Sequence, residues 1–214
     1  MNKAVPLGVE RYKKIVFLTG AGISKGSGLP TYRGDGGIWK TKDVEKVGTK
    51  EAMESDPVRV WRSYLELREK VMKAKPNPAH LAISQLQRRV SEECWVCVMT
   101  QNVDGLHEVA QTDSVIEMHG SLRRLRCTRC DLTPWNFTDT PKTEPPACPN
   151  CGAHCRFDIV LFNEPVDPLL GLKALAFLGD CDLYITVGTS GLVAPASQLG
   201  SVDIQRSELR AEHF

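Results

Sequence analysis

Unbroken apolar runs alternate with helical stripes along most of this chain. Ile15-Val16-Phe17-Leu18, Cys94-Trp95-Val96-Cys97-Val98-Met99 and Leu183 to Val187 contain almost no polar position. Runs of this kind predict strands buried on both faces, as in a parallel sheet. Val115-Ile116-Glu117-Met118 predicts a shorter strand, and Ile159-Val160-Leu161-Phe162 predicts a return to the same sheet. Between the runs the spacing is helical. Ser55-Asp56-Pro57 offers a capping side chain and a first-turn proline, and Val58, Trp61, Leu65 and Met72 then share a face. Pro76-Asn77-Pro78 breaks that helix, a second runs from about Ala79 to Arg88, and a third spans Pro168 to Gly179. Strands alternating with helices predict an α/β fold, a Rossmann-like parallel sheet with helices on both faces.

The first run ends in Gly20-Ala21-Gly22-Ile23-Ser24. A buried strand that enters a glycine turn and then a helix suits a dinucleotide. The glycines let backbone N–H groups approach a pyrophosphate, and the helix N-terminus favours its charge. The spacing is shorter than the full G-x-G-x-x-G pattern, so the turn alone is a weak signal. The stretch from Leu29 to Lys50 has no period, and its Gly34, Gly36 and Gly37 predict a mobile loop.

From Cys127 to Cys155 the composition shifts to Cys, Pro, Thr and Asn, which predicts an inserted module. Cys127-Thr-Arg-Cys130 and Cys148-Pro-Asn-Cys151 stand 17 residues apart. That is the spacing of a structural zinc ribbon, in which each tight turn presents two thiolates to one tetrahedral metal. A redox pair or two disulfides are the alternatives. With four thiolate ligands no coordination position stays open, so the metal holds structure. Cys94 and Cys97 lie three apart in an apolar strand and read as buried packing residues on opposite faces. Cys155 reads as a spare thiol. The expected division is therefore 1–120 and 156–196 for the main domain, 121–155 for the zinc module, and 197–214 for an atypical tail.

Bulk properties narrow the function classes. The 214 residues carry 27 basic and 26 acidic side chains, a net charge of +1. This balance argues against a nucleic-acid or membrane-surface partner. No apolar run approaches the ~18 residues of a membrane span. With no leader visible in the sequence, an intracellular soluble protein is expected, with the cytoplasm first and the nucleus or mitochondrion as alternatives.

Taken in order, these motifs resemble the sirtuin family of NAD-dependent protein lysine deacylases. The matches are Gly20-Ala21-Gly22-Ile23-Ser24, Ser27-Gly28-Leu29-Pro30-Thr31-Tyr32-Arg33, Thr100-Gln101-Asn102-Val103-Asp104-Gly105-Leu106-His107, His119-Gly120-Ser121, the four cysteines and Val187-Gly188-Thr189-Ser190. The resemblance is greatest to the class III branch, whose members remove succinyl, malonyl or glutaryl groups. It implies an NAD site built from Gly20, Ala21, Gly22, Ser24, Thr31, Tyr32, Arg33, Gln101, Asn102, Asp104, Gly188, Thr189 and Ser190. It implies His119 as the general base, one structural zinc, and acyl-lysine proteins or peptides as substrates, giving nicotinamide and O-acyl-ADP-ribose. The backbone around Phe162, Asn163, Glu164 and Val193 would pair with the substrate as an added strand. His80, His107, His154 and His213 read as structural. A mono-ADP-ribosyltransferase and a catalytically weak NAD- or peptide-binding protein are the competing readings.

The chain departs from the family in places. Class III members read acidic acyl groups with Tyr-x-x-Arg on a helix. Here Tyr64 matches, Leu67 holds the arginine slot and Arg68 follows. Either Arg68 reaches the acyl pocket from the same helix face, or Leu67 leaves that pocket apolar. Gln111 and Asn163 stand where the family pattern has glycine, Tyr32 replaces phenylalanine and Phe157 replaces proline. Ser197 to Phe214 is polar and unlike the family. The expectation is a sheet that lacks its last strands, with an unpaired edge beside an incomplete NAD half-site.

Overall fold

A computed structural model describes residues 8–31, 44–90, 93–139, 142–189 and 207–211. Its centre is a five-stranded parallel sheet of β1 (Lys14–Thr19), β2 (Trp95–Thr100), β3 (Val115–Glu117), β7 (Leu183–Val187) and β8 (Ser207–Ala211), in the order β3-β2-β1-β7-β8. Side chains of β1 alternate between two cores. Ile15 and Phe17 face α4 (Pro78–Arg89), packing with Ile83, Val96, Val98 and Ile185. Val16 and Leu18 face α6 (Pro168–Gly179), packing with Cys97, Met99, Ala174 and Leu178. Helices therefore cover both faces, and the near-continuous apolar character of the strands follows from that double burial. Cys94 and Cys97 belong to opposite cores, as their spacing implies.

The second unit is a three-stranded antiparallel sheet, β5 (Trp135–Asn136), β4 (Gly120–Cys127) and β6 (Cys155–Ile159) in that order. Helix α3 (Pro57–Lys73) lies against it. Asp56 caps α3 by accepting a hydrogen bond from Arg59 N at 2.9 Å, with Pro57 in the first turn. Trp61 stacks on Phe157 with ring centroids 4.2 Å apart, and Tyr64, Leu122, Leu125 and Ile159 complete this third core. Two short helices, α1 (Val44–Val47) and α2 (Lys50–Ser55), precede α3.

Three sequence expectations need correction. Residues 207–211 form the fifth strand, parallel to β7, so the sheet does not end at β7. Such a strand needs main-chain partners rather than an apolar pattern, and Glu208 and Arg210 are the charged residues an edge tolerates. Val160 to Phe162 does not rejoin the parallel sheet. Ile159 ends β6, and Phe162 makes an isolated parallel bridge to Thr49. Trp95 is 49% exposed, lying over Phe177, where full packing was expected.

The two residues that replace family glycines both adopt left-handed backbone, Gln111 at φ 61° and Asn163 at φ 65°. Asparagine tolerates this region, whereas glutamine does so at a cost of roughly 1–2 kcal/mol. Gln111 is exposed at the end of α5 (Leu106–Val109) and contributes little packing. Gln111→Gly should therefore raise stability by about 1 kcal/mol, or about 2–4 °C for a chain of this size. Thermal melts of both proteins check this, and an unchanged or lower midpoint would contradict the strain.

Candidate functional site

In an open α/β sheet, ligands bind beyond the carboxyl ends of the strands where the strand order reverses. Here that point lies between β1 and β7. The chain leaves β1 through Gly20 into a 3-10 turn, Ala21–Ser27, that crosses the end of β7. Gly20 N donates to Val187 O at 3.0 Å and Gly22 N to Gly188 O at 2.8 Å. A Cβ on Gly22 would stand 2.7 Å from Gly188 Cα, and Gly188 has φ +63°. The backbones are this close because neither residue has a side chain. The result is a cradle of bare backbone at the switch point, holding the predicted residues Gly20, Ala21, Gly22 and Gly188 together. Thr189 follows, accepting a hydrogen bond from Gln101 Nε2 at 3.1 Å. Thr31 lies farther along the same loop. Tyr32, Arg33, Ser190, Val193 and the glycine-rich loop after Tyr32 lie outside the described residues.

A buried polar network forms the floor. Asn102 Nδ2 donates to Gly20 O and to Ser24 Oγ, both at 3.1 Å. Ser24 Oγ donates to Asp104 Oδ2 at 2.7 Å, and Asp104 Oδ1 accepts from Leu106 N at 2.9 Å. His80 occupies the third position of α4, where its Nδ1 accepts from Asn77 N at 3.4 Å. Its Nε2 therefore carries the proton and faces Ser24 Oγ at 3.5 Å. Asn77 also donates to Ile23 O at 2.6 Å and Ser27 Oγ at 3.0 Å, which ties the start of α4 to the glycine turn. Below this, Thr19 Oγ1 donates to Thr100 Oγ1 at 2.9 Å, so His107 Nε2 is the donor in its 3.0 Å contact with Thr19. His107 Nδ1 is buried with no partner among the described residues. Burial pushes His107 down to about 3, and it lowers His80 against the pull of Asp104. Both rings are neutral. The sequence reads both rings as structural.

His119 lies between the two sheets, two residues beyond β3. Its Nδ1 sits 3.0 Å from Gln101 O. A carbonyl only accepts, so Nδ1 carries the proton and Nε2 keeps its lone pair. Burial lowers the affinity of this ring for a second proton. The ring is therefore neutral at neutral pH, with the lone pair on Nε2.

The predicted substrate residues separate. Tyr64 is buried and Leu67 half-buried in the core of α3 and the smaller sheet. Arg68 is 3% exposed, and its Nη2 donates to Phe137 O at 2.5 Å. Its guanidinium carbon lies 4.9 Å from the centre of the Phe137 ring. Arg68 is thus turned into the smaller sheet. Phe162 N donates to Gly48 O at 2.8 Å and Phe162 O accepts from Lys50 N at 2.9 Å, so its main chain is already paired. Glu164 is clamped by Arg156 at 2.6 and 2.7 Å and caps Leu161 N at 2.9 Å. Asn163 donates to Glu51.

The four predicted ligands Cys127, Cys130, Cys148 and Cys151 meet, with all sulfurs within 4.8 Å of one another. Cys127 and Cys151 are 3.5 Å apart, and Cys130 and Cys148 3.7 Å. Tetrahedral zinc with Zn–S bonds of ~2.3 Å needs sulfurs ~3.7 Å apart, so the set fits. Cys127 Sγ accepts from Cys130 N and Arg129 N, and these bonds hold its thiol down to about 6, in the range of a metal-binding thiolate. Gly152, at φ +73°, turns the second knuckle. Cys155 is buried beside this set and its thiol is pushed up to about 12.

Comparison with known proteins agrees with this geometry. A family model described as the Sir2 family matches residues 20–195. An NAD-dependent protein deacylase 1 of Caldanaerobacter subterraneus subsp. tengcongensis is 42% identical over 197 residues, covering 92% of this chain and 80% of the relative. An NAD-dependent protein deacylase of Thermus thermophilus is 41% identical over 196 residues, covering 91% and 76%. A Sir2 homologue mutant with ADP-ribose superposes with a TM-score of 0.87 at 36% identity, covering 94% of this chain and 81% of that one. A Sir2 homologue with NAD gives a TM-score of 0.84 at 38% identity, covering 94% and 78%.

Two outcomes follow from the site. Gly22→Ala places a methyl group against Gly188 backbone, so NAD affinity measured by calorimetry should fall by roughly tenfold or more. Unchanged affinity would remove the cradle from the NAD site. Second, the unfolded chain protonates His80 and His107 near ~6.5, above their folded values, so it binds more protons in the interval between. Stability should be full above about pH 6.5 and fall as pH is lowered towards the depressed folded values. Melting midpoints across that window should show the decline, and His107→Gln should flatten it. An equal decline in the variant would assign the effect elsewhere.

Proposed function

This chain belongs to the Sir2 family, and from that premise we infer that it is an NAD-dependent protein lysine deacylase that prefers uncharged acyl groups. The deacylase activity is the one named for relatives that match it across most of their length. A neighbouring structure holds a deacetylated p53 peptide and 3′-O-acetyl-ADP-ribose, which supports an acyl-lysine peptide as the partner here. No helix among the described residues is long and apolar enough to cross a membrane.

NAD, when bound, would supply the ribose carbon that the acyl oxygen attacks as nicotinamide leaves, and the ribose hydroxyl that finally takes the acyl group. The glycine cradle is free of the side chains that would exclude its phosphates, and Asn102 and Asp104 present a fixed amide and carboxylate at the floor. The proposed role of His119 is to take a proton from a hydroxyl through Nε2. The bond from Nδ1 to Gln101 O keeps the proton off the working nitrogen. Ser24 and His80 hold Asn102 and Asp104 in place, so the polar floor does not reorganise during reaction. Zinc would hold the turns at the ends of β4 and β6 and take no chemical step.

One observation carries the acyl preference. Arg68 is buried against Phe137 and donates to its carbonyl, while Leu67 stands at the position that would carry a cation. An acidic acyl group would lose its water without gaining a counter-charge, a penalty of several kcal/mol. The test is an equimolar mixture of acetyl-lysine and succinyl-lysine peptides with NAD, followed by mass spectrometry. The acetyl peptide should react faster by roughly tenfold or more. Leu67→Arg should raise succinyl turnover. Faster removal of succinyl by the unaltered chain would overturn the preference. Nicotinamide release with ADP-ribose left on a protein acceptor would replace the reaction by mono-ADP-ribosyl transfer.

A further inference from the structure

His119 stands where the chain passes from one sheet to the other. β3 ends at Glu117 and β4 begins at Gly120. The joint is tightly specified. Met118 N donates to Thr100 O at 2.8 Å and Val160 N to His119 O at 3.0 Å. Gly120 has φ +75°, and a Cβ there would overlap the Asp158 carbonyl. These contacts fix the backbone. They leave open what sets the angle between the sheets on either side of the histidine.

A single guanidinium spans that joint. Arg124 of β4 places Nη1 2.6 Å from Glu117 Oε2, and its Nε donates to Asp158 Oδ2 at 3.0 Å. Glu117 is the last residue of β3 and Asp158 belongs to β6. Glu108, on α5, lies 3.9 Å from Arg124. The Glu117 side chain is 9% exposed, and its second oxygen is buried with no partner among the described residues. A buried carboxylate held by one cation is a weak source of stability, because desolvation offsets most of the attraction. It is a strong directional constraint, because Arg124 cannot move without leaving Glu117 uncompensated.

We propose that the Glu117–Arg124–Asp158 clamp is a positioning device for catalysis, holding the two sheets at the angle that aims His119 Nε2 into the site. The clamp rests on the reading of His119 as the base of a deacylase. Glu117 touches neither substrate nor NAD and acts through the joint. The groups facing it are Arg124, Arg123, Asp158 and Glu108, with Thr100 its uncharged neighbour on β2. Burial, reinforced by Glu108 and Asp158, pushes its carboxyl up to about 7 against the pull of Arg124. The clamp therefore releases as pH falls below neutrality.

The experiment compares the full chain with Glu117→Gln, Arg124→Gln, the double variant and a His119→Ala control. All are checked for zinc content and melting. Glu117→Gln and Arg124→Gln should each lower kcat roughly tenfold with KM for NAD and peptide unchanged, and the double variant should be no worse than either. The acid side of the kcat profile, set in the unaltered chain by release of the clamp, should flatten in Glu117→Gln. Unchanged kcat, additive losses or a rise in KM in step with lost kcat would overturn the proposal. If Glu117→Gln fails to fold, Glu117→Asp and Arg124→Lys keep the charges but alter their reach, and the same split is expected. A chain that shows no NAD-dependent turnover would sink the deacylase reading instead. Even then, ring NMR of His119 reads the clamp: its Nδ1–H signal should shift in Glu117→Gln, and an unmoved signal would overturn the proposal.

Discussion

The close approach of two backbones at the end of β1 and β7 is the constraint on which the rest of the site depends. Gly22 and Gly188 meet without side chains, and Gly22 N donates to Gly188 O. That contact holds the 3-10 turn over the strand ends. The turn in turn supplies Gly20 O and Ser24 Oγ to Asn102, and Ile23 O to Asn77. Through Asn77 it sets the first turn of α4, and so places His80 under the site. A turn displaced by an ångström would break hydrogen bonds to three separate elements, which is why one glycine pair governs so much geometry.

The polar floor illustrates how neutrality is maintained in a buried site. Two histidines lie edge to face at 4.9 Å with one carboxylate nearby. Their tautomers follow from what each neighbour can accept, with His80 and His107 both protonated on Nε2. A second proton on either ring would be a buried charge facing another ring, so burial keeps both uncharged. His119 is neutral for the same reason, but its proton is held on the opposite nitrogen, by Gln101 O. Three rings in similar surroundings thus differ in which nitrogen carries the proton, and the hydrogen-bond partner decides which.

Much of this was legible in the sequence, and the failures share a cause. The three central strands β1, β2 and β7, the switch-point glycines and the four cysteines follow from local periodicity and spacing, which are properties of short segments. Residues 207–211 were unreadable as a strand because an edge strand is defined by main-chain pairing with a distant partner. His80 and His107 read as structural, and what the sequence does not show is the set of partners, which come from elements more than fifty residues apart in the chain, as the contact between Ser24 and His80 shows. The paired main chain of Phe162 was not readable for the same reason, since its partners are Gly48, between α1 and α2, and Lys50, at the start of α2. Gln111 and Asn163 were noted as departures from glycine, but their meaning was visible once both adopted positive φ.

The cysteine module lies away from the switch point, yet it is mechanically continuous with it. The metal-binding turns sit at one end of β4 and β6, and His119 lies just beyond the other end, where Gly120 faces Ile159. Two antiparallel strands transmit position efficiently because their register is fixed by paired hydrogen bonds, apart from the irregularity between Ser121 and Leu125. Arg124 lies within that irregular stretch, where the ladder is weakest, and joins β6 to β3 through side chains. A charged clamp at the irregularity in the β4–β6 pairing therefore supplements the ladder there. Placed there, a buried carboxylate whose contribution to stability alone would be small acts as a directional constraint.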